Sequence, residues 1–204
     1  MAGSGAEPGA QRIAVVFGTR PEAIKLAPVI HALERSRHLR PIPIVTAQHR
    51  EMLDPVLELF AIRPLHDLDL CRPEQRLAGL TARVLEGLEP VLDAERPDLV
   101  LVQGDTTTTF AAALAAFYRR TPVGHVEAGL RTHDRYAPYP EELNRRMTGA
   151  LATLQFAPTA VARDNLLAEG VPAATPCSAR WAARRCRATR RWPGSTGTRA
   201  GCCW

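Results

Sequence analysis

Hydrophobic positions along the chain change period in a regular way. Ile13 to Phe17 is a short, partly β-branched apolar run ending at Gly18, which predicts a buried strand opening into a turn. Ala23, Ile24, Ala27, Ile30 and Leu33 then recur at near-helical spacing, with Pro21 acceptable at a helix start and Pro28 an interior residue expected to kink it. The alternation repeats, with strands over 41–47, 99–102, 123–128 and 153–157 and helices over 50–60, 74–92, 106–120, 141–150 and 159–169. A proline-interrupted connection is expected over 62–73, and Gly170 is placed to stop the last helix. Strands alternating with helices predict an α/β fold, a doubly wound parallel sheet of about six strands in one domain.

Composition leaves that picture in place. The chain has 204 residues, 46% hydrophobic and 23% charged, within the ordinary range for soluble globular proteins. No apolar run approaches the roughly 20 residues of a membrane span, and the first residues lack a signal-peptide pattern, so the expectation is a cytoplasmic protein with no membrane partner.

A net charge of +5 hints at nucleic acid, but its distribution removes the hint. Seven of the 26 basic side chains and none of the 21 acidic ones lie in residues 173–204, so the body before them is mildly acidic. That segment also holds four of the five cysteines and all three tryptophans, and no Val, Ile, Leu, Met, Phe or Tyr. Its composition reads as disordered. Lys25 is the single lysine among 26 basic residues, which suggests a GC-rich coding sequence, and the segment is expected to derive from an altered reading frame; a genuine basic interaction tail is the alternative. Cys177, Cys186, Cys202 and Cys203 do not have zinc-ligand spacing.

In open parallel sheets, ligands approach the carboxyl ends of the strands. Gly18-Thr19-Arg20-Pro21-Glu22, the stretch from Gln103 to Thr109 and the stretch from His125 to Thr132 all follow predicted strands, and so propose one rim. Gly18 lets backbone approach an anion, Thr19 and the helix start offer hydrogen bonds, and Arg20 and Lys25 supply charge; a capped turn with solvent-facing cations is the plainer reading. Neither GxGxxG nor GxxxxGK[ST] occurs, so no dinucleotide or nucleoside-triphosphate fingerprint is present. Asp105 reads as a helix cap, or as an acid or base projecting into the cleft. Glu127 is costly to bury unpaired, with His125 on its strand face and Arg131 able to reach back. Glu141 and Arg145 fall on one helical face, and His49 either lines the cleft or caps its helix. The carboxylates form no compact metal-ligand cluster, and the nearby arginines suit a diphosphate.

Taken in order, GTRPE, AQHREMLD, QGDTTTT, HVEAGLRT and PEELNR resemble the amino-terminal half of the non-hydrolysing UDP-N-acetylglucosamine 2-epimerase family. The resemblance covers residues 12–172; residues 1–11 read as a flexible extension and 173–204 as unrelated to the family. It implies the first Rossmann-like domain of a GT-B-type pair, with the second missing. It also implies interconversion of UDP-N-acetylglucosamine and UDP-N-acetylmannosamine by elimination and re-addition of UDP, without a cofactor, in an enzyme that is a homodimer when complete. By motif it assigns Asp105, Glu127 and Glu141 as catalytic carboxylates. Arg20, Lys25 and Arg145 take the positively charged substrate positions, and Gln48 and His49 lie near the substrate or a regulatory substrate site. The family's catalytic histidine lies in the second half, and no histidine follows His133, so the chain is expected to lack independent turnover. The competing readings are a related glycosyltransferase or hydrolysing epimerase, a UDP-sugar-binding fragment, and a tail-borne nucleic-acid function that would show steep salt dependence.

Overall fold

The apolar run at the start of the chain becomes the middle of a sheet. In the structure, a computed structural model describing residues 9–47, 50–70 and 76–173, strand β1 spans Gln11–Phe17 and leads through Gly18 and Thr19 into helix α1, Arg20–Glu34. Strand β2 (Leu39–Val45), helix α2 (Arg50–Leu59), strand β3 (His66–Asp67) and helix α3 (Leu77–Glu95) follow. Strand β4 (Leu99–Gln103), helix α4 (Thr107–Tyr118), strand β5 (Val123–Val126), helix α5 (Glu141–Leu151), strand β6 (Leu154–Phe156) and helix α6 (Ala160–Ala168) complete the alternation.

All strand pairings are parallel, and the order across the sheet is β3-β2-β1-β4-β5-β6. This is the expected doubly wound, Rossmann-like sheet. Side chains alternate faces along β1: Ile13, Val15 and Phe17 join a core with α1 and α2, while Ala14 and Val16 join a second core with α3 and α4. Both faces are covered, so β4 is buried along its whole length as a continuous apolar run closed by Gln103.

Two expectations are corrected. β3 lies inside the stretch read as a connection; it is only two residues long, pairs His66 with Ile44 and Asp67 with Val45, and has no apolar run of its own. In α1 the buried face is Glu22, Ala23, Leu26, Ala27 and Ile30, whereas Ile24 is 45% exposed, so the buried set includes a carboxylate and skips an isoleucine. α1 runs unbroken through Pro28, which sits on its exposed side. Among the described residues no helix is long and apolar enough to cross a membrane. The readings made for most of residues 1–11 and 173–204, and for Gln48 and His49, lie outside the described residues.

Candidate functional site

The strand order reverses at β1, whose neighbours are β2 on one side and β4 on the other. Helices leave opposite faces there, opening a crevice at the carboxyl ends of these two strands. Gly18 to Glu22 follow β1 and Gly104 to Thr106 follow β4; Glu127 follows β5 next door, and the start of α5 brings Glu141 and Arg145.

The turn after β1 is locked by its own helix. Glu22 is buried and its Oε2 accepts from the amides of Gly18 at 2.7 Å and Thr19 at 2.9 Å. These are the amides that sequence reasoning offered to a bound anion, and an internal carboxylate already takes them. Arg20 is exposed at the first position of α1, and Lys25, one turn further on, is exposed as well.

Lys25 reaches across to Glu127, with Nζ 2.7 and 2.6 Å from its two carboxylate oxygens. Gln103 Nε2 donates to the same carboxylate. Glu127 lies just past β5 with a left-handed φ of 66°, so strand alternation has ended and it does not share a face with His125. That conformation costs a non-glycine residue about 1 kcal/mol or more, and such strain gathers at functional sites. Arg131 does not reach back to Glu127; its Nε and Nη2 each bond Glu169 at 2.7 Å, pinning the loop to α6. His125 is buried, with Nε2 donating to the Gly104 carbonyl at 2.7 Å.

Asp105 is not the helix cap. Thr106 caps α4, its hydroxyl accepting from the Thr109 amide at 3.1 Å. Asp105 instead receives Arg145 Nη2 at 2.6 Å, and its carbonyl accepts Asn144 Nδ2 at 3.0 Å. Arg145 also stands 3.4 Å from Glu142, so its partners are Asp105 and Glu142 and not the Glu141 suggested by helical spacing. Glu142 is 0% exposed and accepts from the Thr132 amide, tying α5 to the preceding loop. Desolvation raises the Asp105 pKa above the ordinary carboxylate value, Arg145 opposes this by charge and hydrogen bond, and the negative charges of Glu141 and Glu127 add to it. Three carboxylates on three elements therefore share one field, interleaved with Lys25 and Arg145. Among the described residues no group of three or more His, Cys, Asp or Glu is placed to hold a metal ion.

The sequence profile described as UDP-N-acetylglucosamine 2-epimerase matches residues 31–175. The chain belongs to this family. The family's UDP-N-acetylglucosamine 2-epimerase from Salmonella typhimurium is 60% identical over 161 residues, 79% of this chain and 43% of its own length. The Escherichia coli K12 enzyme is 59% identical over 160 residues, covering 78% of this chain and 43% of that protein. Among solved structures, the Neisseria meningitidis epimerase bound to UDP-GlcNAc superposes with a TM-score of 0.77 at 53% identity, covering 79% of this chain and 44% of that one. The Methanocaldococcus jannaschii epimerase in complex with UDP-GlcNAc and UDP gives 0.74 at 40% identity, with 79% and 44% covered. The chain thus spans less than half the length of the epimerases it matches.

Two site features were not read from the sequence. Gln103 reads only as the first residue after a strand over 99–102, yet it closes β4 and its amide serves Glu127. Glu22 had a signal in Thr-x-x-Glu before an apolar run, the spacing of a capping box, but its second oxygen turns to another loop.

Proposed function

We propose that this chain carries the amino-terminal, sugar-nucleotide-facing half of a non-hydrolysing UDP-N-acetylglucosamine 2-epimerase, and that alone it binds the nucleotide sugar without turning it over. The observation that carries the reading is the geometry of two ion pairs on one rim: Lys25 of α1 pairs with Glu127 across the strand-order reversal, and Arg145 of α5 pairs with Asp105 beside it.

Epimerisation by elimination and re-addition has definite requirements. A base takes the proton from the carbon bearing the acetamido group, UDP leaves with its bonding electron pair, and both are returned with the proton delivered to the opposite face. Asp105, Glu127 and Glu141 are the proton-handling candidates. A carboxylate whose pKa burial has raised, as for Asp105, is better matched to proton transfer near neutral pH than an ordinary one. Arg20, Lys25 and Arg145 are the cations for the diphosphate, and an arriving phosphate competes with Glu127 for Lys25 and so frees that carboxylate. Gln48 and His49, which follow β2 in the sequence, are assigned to substrate contact on the family motif alone. The transition state needs these groups closed against further polar groups and shielded from water, which a domain covering 43% of the relatives' length does not supply alone.

Calorimetric titration of the 204-residue chain with UDP-N-acetylglucosamine, with product analysis by NMR, tests both parts. Saturable binding with a Kd of about 1 mM or tighter and no UDP-N-acetylmannosamine is expected. Heats that never saturate remove the binding assignment, and epimer formation removes the absence of turnover. Release of free UDP and free N-acetylmannosamine from a homologous complete enzyme would favour the hydrolysing reaction instead.

We further infer that the arginine-rich composition of residues 173–204 comes from an altered reading frame. Sequencing the coding DNA across Val171 to Trp204 and translating all frames is expected to give a continuation in the family's pattern. If no frame does, that origin is wrong.

A further inference from the structure

Glu22 ends the Gly18-Thr19-Arg20-Pro21-Glu22 motif, and the proton-transfer scheme gives it no task. It is 3% exposed, so its carboxylate requires donors, and they come from two separate parts of the chain. Oε2 takes the Gly18 and Thr19 amides. Oε1 takes the Thr106 hydroxyl at 2.6 Å and lies 3.2 Å from that of Thr109. Thr109 has one hydroxyl proton and a closer acceptor, the Gln103 carbonyl at 2.7 Å, so Thr106 is the firm donor to Glu22. Thr106 in turn accepts the Thr109 amide and starts α4.

A cap alone would need only the first two bonds. The third joins the turn after β1 to the turn after β4 across the strand-order reversal. Arg20 and Lys25 ride on α1, which Glu22 belongs to, and Asp105 immediately precedes Thr106.

We propose that Glu22 is a positioning residue that sets the spacing between the cation-bearing start of α1 and the turn holding Asp105, without touching the substrate. The substrate named in its test rests on the epimerase reading above; the mechanical link between the two turns does not.

Glu22→Gln keeps size and shape but removes the charge: its oxygen can still take the Gly18 and Thr19 amides, while toward Thr106 the charge-assisted bond to a carboxylate is replaced at best by a neutral one in which the NH2 donates to the hydroxyl. The experiment compares the full chain with its Glu22→Gln, Thr106→Val and Thr106→Ser variants by amide exchange in NMR and by titration with UDP-N-acetylglucosamine. The far-side reporters are the Gly104 amide, bonded to the Val126 carbonyl, and the Thr109 amide, bonded to the Thr106 hydroxyl. With Glu22→Gln, exchange at these far-side amides is expected to rise about tenfold while Val15 and Ile44 in the sheet stay protected, and Kd to weaken by a similar factor. Thr106→Val should loosen Gly18 and Thr19 reciprocally, and Thr106→Ser, which keeps the hydroxyl, should restore both. Should Glu22→Gln fail to fold, the two Thr106 variants decide the matter. Loosening confined to Gly18 and Thr19 would reduce Glu22 to a helix cap and overturn the proposal, as would far-side loosening with unchanged affinity. If the unaltered chain does not bind UDP-N-acetylglucosamine, the function reading fails, and reciprocal exchange across the two turns still decides whether Glu22 spans them.

Discussion

Replacing Gly129 by alanine is expected to lower the stability of the domain by roughly 3 kcal/mol, seen as a fall of roughly 6–12 °C in the thermal midpoint for a chain of this size. Gly129 has a φ of +86° where the loop after β5 crosses α6. A Cβ built there would lie 2.2 Å from the Ala162 carbonyl oxygen, 2.8 Å from its carbon and 2.9 Å from Leu166 Cγ. Ala162 and Leu166 are buried helix residues, and the two closest contacts are with the Ala162 backbone, which cannot swing aside. The loop is also held on its other sides: Asn165 Nδ2 bonds the Gly129 carbonyl at 2.9 Å, and Arg131 grips Glu169. Gly170 separates the two contributions, because it has a φ of +83° with nothing within 4 Å of its would-be Cβ. Gly170→Ala should cost only the backbone preference, roughly 1 kcal/mol, and the excess at Gly129 measures the clash. Circular-dichroism melts of the two variants make the comparison; equal midpoints would mean that the loop yields and that close packing on α6 does not hold it. Glu127 lies two residues upstream, so Gly129→Ala should weaken ligand binding too.

The parts of this molecule legible in the sequence were those written in local pattern. Ile13 to Phe17 and Leu99 to Val102 are strands because short runs of branched side chains are buried on both faces, and that needs no knowledge of partners. β3 was illegible because only ladder bonds to β2 define it. The rim was legible for a similar reason: chemistry-bearing motifs followed predicted strands, and a doubly wound sheet gathers those ends in one place. The pairings within the rim were not. Lys25 and Glu127 are 102 residues apart, and Asp105 and Arg145 are 40 apart, distances over which sequence spacing carries no geometry. Where local rules did speak they named the wrong partner. Helical spacing joined Arg145 to Glu141, but the buried side of α5 turns Arg145 toward the β4–α4 turn. Strand alternation joined His125 to Glu127, but the backbone leaves the strand between them. Glu22 reads only as the last residue of the Gly18–Glu22 motif, and tertiary structure makes it a buried bridge.

Acid should destabilise this domain through His125, by roughly 3 kcal/mol between neutral pH and pH of about 4. The ring is 0% exposed, and desolvation lowers its pKa from 6.5 to about 4; the positive charges of Arg131 and Arg145 act in the same direction, and the Gly104 hydrogen bond and the Glu127 charge oppose it. The folded protein thus leaves His125 neutral at a pH where the unfolded chain has already protonated it. Between 6.5 and about 4 the unfolded state binds more protons, so stability is lost as pH falls through that window and is unaffected by this group above it. Asp105 works the other way, since its raised pKa makes the folded state the better proton binder and its contribution is lost as pH rises. Asp93 and Glu169, whose pKa values arginine partners lower from 3.8 and 4.5, begin to lose their contributions only as pH falls below those values, at the acid end of the His125 window and beyond. Urea midpoints measured from pH 7 to pH 4.5 should therefore slope downward on the acid side, and His125→Gln, which keeps a donor for the Gly104 carbonyl, should flatten that slope while lowering the neutral plateau. An unchanged slope in His125→Gln would assign the acid sensitivity to another group. Because His125 holds the carbonyl of Gly104, next to Asp105, protonating it in place adds a buried charge and a new N–H at Nδ1, which has no partner among the described residues. The turn that carries Asp105 is where that in-place protonation acts, so on the binding proposed above affinity for UDP-N-acetylglucosamine should hold through the window and fall only as pH approaches about 4.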